Sequence, residues 1–208
     1  MAISQHTRLL PFPRRPAGDK YELLFHDSRL VDDPVTHASV NVYRIRALRT
    51  IRNVIRRGQY GGYVQSLDNL SHRGAAWVAD QACLLGNARV WGDAWIGEQA
   101  VVREGAWVFE TAAVRGQATV AGAARIFGQA RVYGQSYIGG HVLVAGQAVI
   151  TGQAQALGCC WIGHTARLEG DSWLSGSQIV TGAMVTAVGS HAHGTGGEPE
   201  LSSETARA

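Results

Sequence analysis

From Ala76 to Ala183 the chain repeats one six-residue unit 18 times without a break. The unit reads Ala-x-Val-x-Gly-Gln. Its third residue is Val, Ile or Leu in 17 copies, and only Ala156 departs. The first is Ala in 13 copies; the exceptions are Ser136, Val142, Cys160, Ser172 and Gln178. The fifth is Gly in 13; Asp80, Glu98, Glu104, Glu110 and His164 replace it elsewhere. So short a fixed period specifies a solenoid. Alternation within Ala-x-Val-x places Ala and Val on one face and both x residues on the other. Gly beside a small polar residue then lets the chain turn a corner.

A second period sets the number of sides. Gln81, Gln99, Gln117, Gln135 and Gln153 recur every 18 residues, as do Trp91, Phe109 and Phe127. Three hexads therefore make one coil, and the coil is a triangle. Neighbouring coils about 4.8 Å apart bring like residues into contact, where amides and rings can stack. The 108 residues make six coils, roughly 29 Å tall at that spacing.

Ala88-Arg-Val-Trp-Gly-Asp followed by Ala94-Trp-Ile-Gly-Glu-Gln resembles the hexapeptide-repeat proteins. The resemblance implies an all-β fold, a single-stranded left-handed triangular parallel β-helix. The left hand comes from the resemblance alone. The head carries a narrower likeness. Lys20-Tyr-Glu-Leu, Tyr43-Arg-Ile-Arg-Ala-Leu, Gly61-Gly-Tyr-Val and Asn69-Leu-Ser are similar to uncharacterised phage and bacterial hexapeptide proteins. Those carry labels such as acyltransferase or polymer-forming protein, which rest on the fold and import little chemistry.

The expected organisation is a flexible arm over 1–18, a small N-terminal β cap over 19–63, the solenoid over 64–187 and a disordered tail over 188–208. Lys20 to Phe25 and Val40 to Ile51 read as strands, the second packing through Val42, Tyr43, Ile45 and Leu48. Asp32-Asp33-Pro34 and Gly61-Gly62 read as punctuation. The cap covers a first coil that would otherwise expose strand edges. A net charge of +3 points to neither an acidic mimic nor a strong polyanion binder. Three cysteines, Cys83, Cys159 and Cys160, give no disulfide framework and suit a reducing cytosol. No signal peptide or membrane-length run is read, so the expected setting is the bacterial host cytosol, with a phage origin implied by the resemblance.

The outward positions divide among three walls. One is strongly apolar: Trp91, Trp107, Phe109, Phe127, Leu143, Trp161 and Ile179, with only Arg89 and Arg125 charged. Such a patch marks an interface, and a homo-oligomer is expected through it. A second wall carries Trp77, Trp95, Arg115, Arg131 and Arg167, and the third is mixed. Catalysis has thin support. His141 and Cys159 share a corner one coil apart and are the candidate base and nucleophile, but no orienting acid is evident. No cofactor and no metal are expected, since His141 and His164 fall on different corners and His191-x-His193 stands alone. The basic run Arg44, Arg46, Arg49, Arg52, Arg56 and Arg57 is a candidate contact for nucleic acid or a host protein, with a solvated arginine face as the plainer reading. The leading function is a non-catalytic, self-associating scaffold or interaction protein. The alternatives are an acyltransferase using an acyl-thioester cofactor, with His141 as base, and a binding module acting through the basic head.

Overall fold

The computed structural model describes residues 19–32, 37–182 and 184–186. The expected arm and tail, and Asp33 and Pro34 of the expected turn, lie outside the described residues. The described chain is all-β: a left-handed parallel solenoid of about seven coils with about 18 residues each. Its three walls are one sheet of nine strands, one of seven and one of six. Residues 18 apart lie directly above one another, as in the ladder Trp77, Trp95, Ala113, Arg131. Backbone N–H groups donate along the axis from coil to coil: Trp95 to the Ala112 carbonyl and Arg131 to that of Ala148, both at 2.9 Å.

The hexad explains the six regular coils. First and third residues point inward and are almost all sealed from solvent, so Ala and Val or Ile fill a narrow triangular core. Two of the polar intruders meet local carbonyls, while the buried Ser172 hydroxyl has no hydrogen-bond partner among the described residues. The Ser136 hydroxyl donates to the Tyr133 carbonyl at 2.8 Å, and the Cys160 thiol to that of Leu157 at 3.2 Å. All 18 fifth positions have φ between +53° and +83°. The five residues that replace Gly there adopt the same left-handed conformation, which costs a side-chain-bearing residue about 1–2 kcal/mol. Four of the five are acids, and each offsets that strain with a hydrogen bond. Asp80, Glu98, Glu104 and Glu110 accept from the amides of Glu98, Gly116, Gly122 and Gly128, one coil on, at 2.7–3.0 Å.

The first coil departs from the hexad. It is built from residues 60–78, so the solenoid begins a coil earlier than the repeat. Strand β1 (Tyr21–Asp32) pairs antiparallel with β2 (Ser39–Ala47), and β2 with β3 (Tyr60–Val64). β3 then runs parallel to Cys83–Leu84, joining the cap and the solenoid in one sheet. Gly61 and Gly62, read as punctuation, lie inside β3. A Cβ on Gly61 would fall 2.5 Å from the Val78 carbonyl and 2.7 Å from the Trp77 ring. The cap thus closes over Trp77, which is buried and not part of an open wall. Val42 and Ile45 are buried as expected, whereas Tyr43 and Leu48 are half-buried.

β1 is longer than its apolar run. It continues past a bulge between Leu24 and Ser28 to Asp32. At the other end the solenoid also passes Ala183. Met184–Thr186 pairs with Arg167–Glu169, but Arg167 faces Met184, so this step is 17 residues long and not 18.

The corners yield a paired test. A Cβ on Gly134 would lie 2.5 Å from the Gly152 carbonyl oxygen, whereas one on Gly176 meets nothing within 4 Å. Both residues have positive φ. In chemical denaturation Gly176→Ala is expected to cost about 1 kcal/mol, the conformational strain alone. Gly134→Ala is expected to cost about 3 kcal/mol, because the next coil must shift as well. Equal losses would show that coil-to-coil contact does not select glycine at the corner.

Candidate functional site

The apolar wall is one face of the six-stranded sheet. Its second-position column reads Arg89, Trp107, Arg125, Leu143, Trp161, Ile179 in continuous register. The fourth-position column reads Trp91, Phe109, Phe127, Ala145, Gly163, Thr181. Its first three members form a ladder. Trp91 and Phe109 stack with centroids 4.6 Å apart and planes within 3°, and Phe109 and Phe127 stack at 5.1 Å and 5°. Trp107 meets Trp91 edge-on at 5.4 Å, and the Arg125 guanidinium lies 4.7 Å from the Trp107 ring centre. Such contacts contribute about 0.5–1.5 kcal/mol each beyond area burial. They also use the ring faces within the chain, so the first three rungs offer mainly ring edges to a partner.

Exposure concentrates at the far end. Trp161 is 48% exposed and Ile179 76%, while Trp91, Trp107, Phe109, Phe127 and Leu143 are half-buried. Trp161 lies flat because Gly163 lets it: a Cβ there would fall 2.5 Å from the indole nitrogen. The same device recurs where Trp95 covers Gly97 and Tyr137 covers Gly139. All three sites read aromatic-Ile-Gly, a signal in the sequence that periodicity alone passes over.

The other candidates are placed as follows. His141 and Cys159 occupy one corner in successive coils, their amides donating to the Gly158 and Gly176 carbonyls at 2.7 and 2.6 Å. Both side chains are exposed on that corner. A surface depression of about 280 Å³ lies elsewhere, between the first coil and the ladder, lined by Leu67, Asp68, His72, Arg89 and Trp91 among others. That size is just below the usual range for small-molecule sites. Among the described residues no three His, Cys, Asp or Glu side chains gather around a possible ion. No described helix is long and apolar enough to cross a membrane. His191 and His193 lie outside the described residues.

The arginine run is divided among several local partners. The Arg44 guanidinium meets Asp27 at 3.0 Å and donates to the Tyr63 hydroxyl at 2.7 Å. Arg46 binds Glu22 at 2.8 Å, and Arg52 donates to the Asp93 carbonyl. Arg49 reaches towards the His72 carbonyl, while Arg56 and Arg57 are exposed on the turn before β3.

Sequence reasoning missed Lys20. It is buried, and its ammonium donates to the Ala76 carbonyl at 2.7 Å. Burial, then Arg49 and Arg52, lowers its pKa to about 8. Beside it His72 stacks on Tyr21 at 4.3 Å and accepts from the Lys20 amide at 3.2 Å. Burial holds His72 below the usual imidazole value and lifts the Tyr21 phenol well above its own.

Comparison with protein-family models gives no match, and no curated protein matches the chain.

Two outcomes follow from these environments. Between the folded Lys20 value of about 8 and its ordinary 10.5, the unfolded chain holds more protons. The lysine therefore raises stability with pH in that window, at most by about 1.4 kcal/mol per unit. The Cys83 and Cys160 thiols oppose it from about pH 8.5, and Tyr21 from about pH 10, as they ionise in the unfolded chain. The urea midpoint of the wild type relative to that of Lys20→Met should therefore climb from about pH 7.5 to about 9.5; a difference that does not change with pH would show that Lys20 does not carry this dependence. Among the thiols, Cys159 is exposed while Cys83 and Cys160 are buried, and burial pushes both buried thiols up. A disulfide reagent should modify one thiol rapidly in the native protein and three in urea, with Cys159→Ser abolishing the fast phase.

Proposed function

We propose that the chain is a non-catalytic, self-associating solenoid of the hexapeptide-repeat class, a rigid scaffold or interaction protein whose copies meet through the apolar wall. The observation that carries this reading is the exposure of Trp161 and Ile179 on the same wall as the half-buried ladder. Contiguous apolar surface of this kind is what association removes from water. The unbroken series of 18 hexads supports the scaffold role, since no inserted loop interrupts the walls. The phage setting rests on the resemblance of the head.

The structure also selects the variant for the test. Trp107 and Phe109 hold ring contacts inside the wall, so replacing them threatens the fold. Trp161→Arg with Ile179→Arg disturbs no stacked ring and strips the most exposed apolar part of the wall, leaving Gly163 uncovered. Sedimentation should give an oligomer for the wild type and a monomer for the double variant, with the same unfolding midpoint at low concentration. A monomeric wild type at high concentration, or an unchanged oligomer in the variant, would reject the interface.

A further inference from the structure

The aromatic ladder ends towards the cap with a ring face uncovered. Phe109 is stacked on both sides, but Trp91 on one side only. Phe109 and Trp107 both stand on the rung after Trp91, which leaves its cap-ward face. The register changes at this step. Leu70 pairs with Val90, so Ser71, and not Arg73, stands on the rung before Trp91. Ser71 is short, and its hydroxyl accepts from the Arg73 amide at 3.1 Å within its own turn. The depression of about 280 Å³ lies on this rung. Its walls come from Leu67 to His72 on one side and Arg89 to Trp91 on the other, so the uncovered face of Trp91 borders it.

The lining sets the chemistry of an occupant. Its titratable groups are Asp68, His72 and Arg89. Asp68 and Arg89 are exposed, and neither forms an ion pair with a described residue. Burial holds His72 towards its neutral form, and its Nδ1 accepts from the Lys20 amide. One charge of each sign suits a neutral molecule better than an ion. An open aromatic face suits a flat ring. A guanidinium presents two parallel donors and a carboxylate two acceptors. The complementary molecule is a flat ring system with two adjacent acceptors and two adjacent donors on its edge. Among the nucleobases only guanine has both, O6 with N7 and N1–H with the N2 amino group. Adenine, cytosine and uracil each lack at least one of the pairs. The depression is small for a drug-sized molecule but ample for one bicyclic base.

We infer that this depression binds a guanine base, stacked on the uncovered face of Trp91 as the next rung of the ladder. Arg89 donates to O6 and N7, and Asp68 accepts from N1–H and the N2 amino group. Stacking on an aromatic ring tolerates every base, so the two charged groups on the rim supply the choice. The base can arrive in a free nucleoside or within a single strand. The site does not depend on the self-association proposed above. It occupies the first rung of the wall, whereas Trp161 and Ile179 stand on the last two.

Indole N–H resonances of the full chain report on the site. Guanosine should shift one of the six tryptophan signals, the one that Trp91→Phe removes. It should bind about tenfold more tightly than adenosine or cytidine. Ser71→Phe puts a ring on the vacant rung and should abolish binding without lowering the unfolding midpoint. Asp68→Asn changes an exposed residue, so folding is not at stake. It should weaken guanosine about tenfold and adenosine little. An oligothymidylate with one central guanine identifies the source. Tighter binding than guanosine places the base in a single strand, weaker binding in a free nucleoside, and both uphold the site. A Trp91 signal that guanosine leaves in place overturns it. So does equal affinity for adenosine, a shift caused by methyl glucoside and not by guanosine, or unchanged binding in both Ser71→Phe and Asp68→Asn.

Discussion

Each coil depends on a backbone that turns through the left-handed region at every sixth residue. Positive φ at the corners lets three short extended segments close a triangle in 18 residues. Only then do identical positions superimpose and coil-to-coil hydrogen bonds form without slippage. The inward residues need do little more than fit. A side that buries one alanine and one β-branched or leucine side chain gains modestly per coil, yet the gain repeats at every step. The acidic corners show how the strain is tolerated when glycine is absent. A carboxylate reaches forward to the corner amide of the following coil, and one residue both bends the chain and ties it to its neighbour.

The regular part was legible because its signals are local and repeated. Alternation marked the inward residues, the 18-residue period marked the rungs, and Trp91, Phe109 and Phe127 stack as that period requires. The first coil was less legible, because non-repeating residues make it. Asn69 closes its turn by accepting from the Ser66 amide and ties it to the next coil by donating to the carbonyls of Gly86 and Ala88, while Gly61 and Gly62 permit close strand approach. A side-chain amide replacing a repeat leaves no period to read. Lys20 and Trp77 were missed for a related reason. Both look like surface residues in one dimension, and only long-range folding of the cap over the first coil buries them. The short last step, where Arg167 faces Met184, depends on one residue fewer at a corner and carries no composition signal.

The candidate site was legible as a set of residues but not as a shape. The sequence assigns the apolar side chains to one wall. It does not say that ring faces in the first three rungs are spent on one another, or that Gly163 lays Trp161 flat. Those facts move the accessible apolar surface to the far end of the wall. Likewise the arginine run reads as a patch in sequence, yet Asp27, Glu22, Tyr63 and Asp93 draw its members to different places. A strand alternates its side chains between faces, so charge density along a chain is a poor guide to charge density on a surface.

The even stacking of the coils has a metrical consequence. Outward groups on one wall sit at fixed intervals, seen in ring separations of 4.6 and 5.1 Å. The wall is in effect a ruler with marks about 4.8 Å apart. Anything that engages several marks at once must carry the same graduation. An α-helix laid along the axis advances about 5.4 Å per turn and drifts out of step by about 3 Å over five intervals. A second stack of parallel strands keeps step over the full height, whichever way up it lies.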